Sequence, residues 1–171
     1  MRGRFGRIAL ATAAIAAMTV AGGGEAKAAL GGLVAGGLGA FDFLHNYTAA
    51  QGRLEYRFDQ SFFYWKPLVG VFVTTKGSVY TYGGFRLELP LGKHLLLIPM
   101  AAVGDYEKGG GKNLGAHIEF KTGAELDLVF ADGIRVGPVF DHVSNAGIGK
   151  HNPGEENLLI MMSMPLDTLL H

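Results

Sequence analysis

The sequence predicts an all-β fold, an eight-stranded antiparallel transmembrane β-barrel of the bacterial outer membrane. The first observation behind this is alternation. From His117 to Phe130, the residues Ile118, Phe120, Ala124, Leu126, Leu128 and Phe130 fall on one parity, and His117, Glu119, Lys121, Glu125 and Asp127 on the other. A strand sends successive side chains to opposite faces, so one face is apolar and the other charged. The second is composition. Of the 171 residues 49% are hydrophobic and 27 are glycine, yet past the N-terminal segment the longest comparable apolar run, Leu95 to Val103, has about half the ~20 residues of a spanning helix and contains Pro99. Third, the charged parity carries acids and bases together, which can neutralise one another inside a narrow lumen filled by side chains. The competing architecture is a soluble barrel showing its charged face to water.

The elements follow in order. Arg2, Arg4 and Arg7, an apolar run from Ile8 to Ala21 and a small-residue Ala26-Lys27-Ala28 site have the layout of a secretory signal peptide, with cleavage expected after Ala28. Residues 29–171 are then a single barrel domain. The first strand is expected over 33–44 and the second over 49–58, where Leu54, Tyr56 and Phe58 oppose Arg53, Glu55 and Arg57. Phe62, Phe63, Tyr64 and Trp65 come next, an aromatic belt at the periplasmic rim. A third strand over 66–75 and the Lys76-Gly77 turn lead to a fourth over 78–89, with Val79, Thr81, Phe85 and Leu87 opposing Tyr80, Tyr82, Arg86 and Glu88. Strands five to eight are expected over 93–105, 115–130, 133–144 and 156–166. Pro99 and Pro138 fall inside strands and remove a ladder N–H, so each is expected to mark a bulge. The connections 59–65, 90–92 and 131–132 are short, whereas Tyr106 to Leu114 and Asn145 to Glu155 are long, the asymmetry of periplasmic turns against outer loops. The C-terminus, MPLDTLLH, lacks a terminal aromatic.

Composition also excludes. There is no cysteine, so no disulfide staples the domain. The formal charge is zero without a long basic run, which argues against nucleic acid as a partner. Asp105, Glu107 and the Gly109-Gly110-Gly111 tract match no metal or nucleotide motif and read as a flexible outer loop. Arg86, His117, Glu119, Lys121, Glu125 and Arg135 read as lumen packing, and Lys150, His151 and Glu155 as solvated loop residues.

Chemistry concentrates in "FDHVSNAGIGKHNPGEEN", Phe140 to Asn157. On the seventh strand Ile134, Val136, Pro138, Phe140, His142 and Ser144 share the apolar parity. On the eighth, Glu156 belongs with Leu158, Ile160, Met162 and Met164, and Glu155 with Asn157. Polar side chains on a lipid-facing stripe are costly unless they partner one another or have a task. Antiparallel pairing brings Ser144, His142 and Glu156 to one external patch, a nucleophile, a base and an orienter. Glu155 remains a second carboxylate close by.

The motif His142-x-Ser144-Asn145-Ala146-Gly147, followed by Asn152-Pro153-Gly154 and Glu156, resembles the signature of the PagL-type lipid A 3-O-deacylases, exported eight-stranded outer-membrane barrels. The resemblance implies a serine esterase that hydrolyses the 3-O-linked 3-hydroxyacyl chain of lipid A in the outer leaflet. Ser144 attacks, His142 is the base and Glu156 holds the imidazole. Asn145 and Gly147 match the oxyanion-stabilising segment. It implies lipopolysaccharide and outer-membrane lipid as partners, pairing into a homodimer, and no metal or cofactor. Another lipid esterase or phospholipase, or a non-enzymatic structural or binding barrel, are the alternatives.

Overall fold

The computed structural model describes residues 31–169; the signal peptide expected over 1–28 lies outside the described residues. Among the described residues nine strands follow one another: β1 (Gly32–Phe41), β2 (Ala49–Phe58), β3 (Lys66–Thr74), β4 (Val79–Arg86), β5 (Leu89–Pro90), β6 (Leu95–Glu107), β7 (Ile118–Val129), β8 (Arg135–Ser144) and β9 (Glu155–Pro165), with a one-turn helix α1 (Leu166–Leu169) after them. Every pairing is antiparallel. The order β4-β3-β2-β1-β9-β8-β7-β6 is closed by pairing of β4 with β6, which leaves no sheet edge.

The barrel has eight staves because β5 continues β4. Arg86 pairs with Met100 and Leu89 with Leu97, on one unbroken register. Between them the Leu87 N–H donates to the Pro99 carbonyl at 3.0 Å, and Pro99 has no N–H to donate back. Pro138 behaves alike: Glu125 pairs with Val139 and Leu128 with Val136 on one register. The bulges expected at both prolines are therefore absent. Each proline costs a ladder hydrogen bond without inserting a residue.

Following partners from Leu33 through Arg57, Leu68, Gly84, Ala102, Lys121 and Val143 leads to Glu155, which lies level with Phe43 on the first stave. One circuit thus climbs about ten residues, a stagger that goes with strongly tilted strands. Glycines make the tight curvature possible. A Cβ on Gly84 or Gly104 would lie within 2.1 Å of a neighbouring backbone carbonyl.

Polarity is inverted relative to a soluble barrel. Arg53, Glu55, Arg57, Arg86, Lys121, Glu125 and Asp141 are buried in the lumen, whereas Leu38, Leu54, Val73, Leu128, Phe140 and Ile160 are exposed on the outer wall. That excludes the soluble alternative, since water would face the apolar girdle. The lumen is a packed interior with two layers. Toward one end Phe41, Phe72, Tyr80 and Tyr106 stack at centroid distances of 5.4–6.5 Å. Below them Glu55 accepts from Arg57, Lys121 and Tyr82, and Arg57 reaches Glu125. Pairing of opposite charges is the form in which a narrow lumen tolerates these ions.

The connections sort by rim as expected. One rim carries 59–65, 91–94 and 130–134, and the other carries 42–48, 75–78, 108–117 and 145–154. On the first rim Phe62 and Trp65 exchange both backbone hydrogen bonds around Phe63 (φ 48°) and Tyr64 (φ 72°), and all four rings are exposed. Left-handed aromatics cost backbone strain; the turn gathers four exposed rings at this rim, where aromatic side chains suit the membrane interface. On the other rim His117 departs from its expected lumen position. It precedes β7, is exposed, and places Nδ1 3.5 Å from Glu107 Oε1 and 3.9 Å from Asp105 Oδ1. Those two acids belong to β6 and not to a flexible loop.

Candidate active site

Register builds the site. His142 on β8 is the direct partner of Glu156 on β9, and both lie on the outward parity of the wall. Directly opposed residues on one sheet face hold their Cβ atoms ~4.5–5.5 Å apart, close enough for imidazole and carboxylate to meet. His142 Nδ1 and Glu156 Oε1 are 3.1 Å apart. With Nδ1 committed to the carboxylate, Nε2 is the nitrogen left for chemistry. Ser144 ends β8 two residues further on and on the same face, half-buried. Its hydroxyl makes no hydrogen bond to His142 among the described residues.

Glu155 faces the other way. It is fully buried in the lumen, where Asn157 Nδ2 donates to its Oε1 at 2.8 Å, so the solvated loop position expected for it is corrected. Strand parity separates the two adjacent glutamates: Glu156 reaches the outer wall, and Glu155 the lumen. Asn157 also donates to Asp141 Oδ1 at 2.8 Å and accepts from Gln51 at 3.0 Å, while Arg53 grips Asp141 with both terminal nitrogens. This network joins β2, β8 and β9 directly behind the His142–Glu156 pair.

The loop after β8 is shaped by Asn145, which is buried. Its Oδ1 accepts from the Gly147 N–H at 2.9 Å, its Nδ2 donates to the carbonyls of Leu114 and His151 at 2.8 Å each, and its own N–H donates to Asn152 Oδ1 at 3.0 Å. Ala146 (φ 52°) and Gly147 (φ 82°) reverse the chain between them. The Ala146 N–H has no partner among the described residues. Gly154 supports the imidazole: at φ +59°, a Cβ there would stand 2.6 Å from His142 Cε1. The Asn-Pro-Gly turn is thus a backing for the ring as well as a reversal.

Three further groups that sequence reasoning missed come from the β1–β2 connection. Asp42 is buried with φ 51°, and binds Lys112 Nζ at 2.6 Å and the Tyr47 N–H at 3.1 Å. His45 reaches over β9, with Nδ1 3.0 Å from Glu156 Oε2. Phe43 packs edge-on against Phe140 with centroids 6.1 Å apart, beside the pair on the apolar wall. Only the closure of β1 on β9 brings these residues here, and nothing local in the sequence signals it. Asp42, His45 and Glu156 have the makeup of a cation site, as do Asp105, Glu107 and His117. In the first, however, the Lys112 ammonium already neutralises Asp42.

Comparison with known families gives a match over residues 25–165 to the family described as lipid A 3-O-deacylase (PagL). The chain belongs to this family. Among solved structures it is similar to the outer membrane enzyme PagL, with a TM-score of 0.59 and 23% identity over 78% of this chain and 99% of that one. It is similar also to a de novo designed transmembrane β-barrel, with a TM-score of 0.52 and 11% identity over 80% of this chain and 96% of that one. No curated protein sequence matches. With its inverted polarity, the deacylase-family chain is an outer-membrane barrel.

Proposed function

We propose that this lipid A 3-O-deacylase works as a serine esterase with Ser144, His142 and Glu156. The observation that carries the reading is the His142–Glu156 pair at 3.1 Å on the lipid-facing wall, with Ser144 two residues away on the same face. A polar pair among Phe140, Leu158 and Ile160 on a lipid-facing wall is costly unless it has a task. It is where the ester of a lipid held in the leaflet would arrive.

In the reaction, Ser144 Oγ attacks the 3-O-linked acyl carbonyl as His142 Nε2 takes its proton. Glu156 keeps the imidazole in the tautomer with Nδ1 protonated and stabilises the imidazolium. Charge on the tetrahedral oxygen falls to the Asn145–Gly147 segment. Because Asn145 Nδ2 and the Gly147 N–H are engaged within the loop, the Ala146 N–H is the donor still available, and Asn145 acts by holding that turn. His142 then returns the proton to the sugar oxygen, and a water activated by His142 releases the 3-hydroxy fatty acid. The hydrogen bond from Ser144 to His142 forms as the ester seats, since such bonds commonly tighten only with substrate. The reading includes residues 1–28 as the export signal.

Mass spectrometry of lipid A incubated with the refolded barrel tests this. Wild type is expected to remove one 3-hydroxyacyl mass. Ser144→Ala and His142→Ala should each lower the rate by at least about a thousandfold while the barrel still folds. Full activity in Ser144→Ala overturns the nucleophile, and release of ordinary fatty acids from phospholipid instead overturns the substrate.

A further inference from the structure

Glu156 is placed between two imidazoles. His142 occupies one carboxylate oxygen; the other, Oε2, is buried and has no aligned hydrogen-bond donor among the described residues. His45 Nδ1 stands 3.0 Å from it, off the axis that a hydrogen bond would need. His45 is half exposed, which leaves its ring room to turn toward that oxygen, with Asp42 Oδ1 3.4 Å from the same Nδ1.

The loop that carries His45 is built to hold it there. Asp42 turns left-handed at the end of the first stave, and the Phe43 N–H donates to the Glu156 carbonyl at 3.1 Å, fastening the loop root to the very residue concerned. The His45 N–H donates to the Asp42 carbonyl at 3.1 Å, and Thr48 Oγ1 donates to the carbonyls of Asp42 and His45 at 3.1 and 2.9 Å. Asp42 is fixed in turn by Lys112 and by the Tyr47 N–H. The backbone of His45 is thereby constrained on both sides. A cation shared by Asp42, His45 and Glu156 is not needed to explain the cluster, because Lys112 Nζ already lies 2.6 Å from Asp42.

We propose that His45 is a positioning residue for Glu156: it takes the free carboxylate oxygen and so holds the other on His142. This rests on the triad proposed above. A carboxylate fixed at both oxygens cannot swing away from His142 during turnover, and angular precision of this kind bears on rate more than on substrate binding.

The test combines kinetics with a readout independent of activity. In wild type, His45→Ala and His45→Gln, the kcat and KM for lipid A deacylation are measured beside the hydrogen-bonded imidazole N–H resonance of His142 in micelles, assigned by its loss in Glu156→Ala. The expectation is a kcat lowered by about tenfold in His45→Ala, the rate equivalent of one net hydrogen bond, with KM unchanged. His45→Gln, which keeps a donor, should recover most of it, and the His142 resonance should broaden in the alanine variant only. Wild-type kcat in His45→Ala overturns the proposal. Equal loss in alanine and glutamine variants also overturns it, since a merely structural loop defect would look so. Were the wild-type barrel not to deacylate lipid A, the triad reading would fall, and the resonance alone would decide: unchanged in His45→Ala, it overturns the positioning role.

Discussion

Gly154 shows how narrowly the outer end of β9 is specified. Its left-handed φ of +59° and the 2.6 Å approach of its virtual Cβ to His142 Cε1 leave no room for a methyl group. Gly154→Ala is therefore expected to cost about 1–2 kcal/mol in backbone strain, and to displace the imidazole from Glu156. Activity should fall by at least about a hundredfold, since misplacement on the order of 1 Å has that effect, while thermal unfolding in detergent shifts modestly. A variant with full kcat would show that the ring does not lean on this glycine. At this scale much was legible. Parity together with the motif favoured Glu156 over Glu155, and parity put His142 and Ser144 on the outer wall. His45 and Asp42 were not legible, because they lie about a hundred residues from Glu156 and meet it only through the β1–β9 seam. The spent hydrogens of Asn145 were hidden too, since a motif names a residue and not the carbonyls around it.

The strands hold the site from behind. Arg53 on β2 grips Asp141 on β8, one residue from His142 and pointing inward, while Asn157 joins Asp141 to Glu155. Arg53→Met keeps the volume of the side chain and strands the Asp141 carboxylate in the lumen. The expected loss is about 3–5 kcal/mol of folding stability, read by equilibrium urea unfolding in micelles. The double variant Arg53→Met/Asp141→Leu should recover most of it, because the cost belongs to the unpaired charge; no recovery would contradict that assignment. Strand existence and approximate bounds could be read from period-two patterning, because lumen and lipid impose opposite chemistries on alternate residues. The prolines misled, as a missing N–H need not shift the register. In a closed sheet of eight staves the neighbouring pairs hold the alignment through Leu87 and Leu126.

For the molecule as a whole, the apolar girdle fixes where the barrel can reside. Leu38, 76% exposed near the middle of β1, is a direct probe of this. Leu38→Arg should destabilise the barrel by about 2–4 kcal/mol in a bilayer, while costing little in a micelle that adapts around the charge. Equal stability in both hosts would argue that this wall does not face hydrocarbon. The fold class was visible in sequence because charged and apolar residues alternate clearly on β2 and β7, although β1 and β6 turn apolar side chains to both faces. The pairing of the first strand with the last, β1 with β9, could not be read from any one segment.

That pairing gives the site a history. His142 and Glu156 sit on the last two strands, and Glu156 receives its outer cover from the loop after the first, so the pair and its cover come together only when the C-terminal hairpin has met the N-terminal strand. A nascent chain crossing the periplasm carries Ser144, His142 and Glu156 but not their arrangement. Assembly is then what completes the site: Glu156 gains its cover from the β1–β2 connection as the barrel becomes whole.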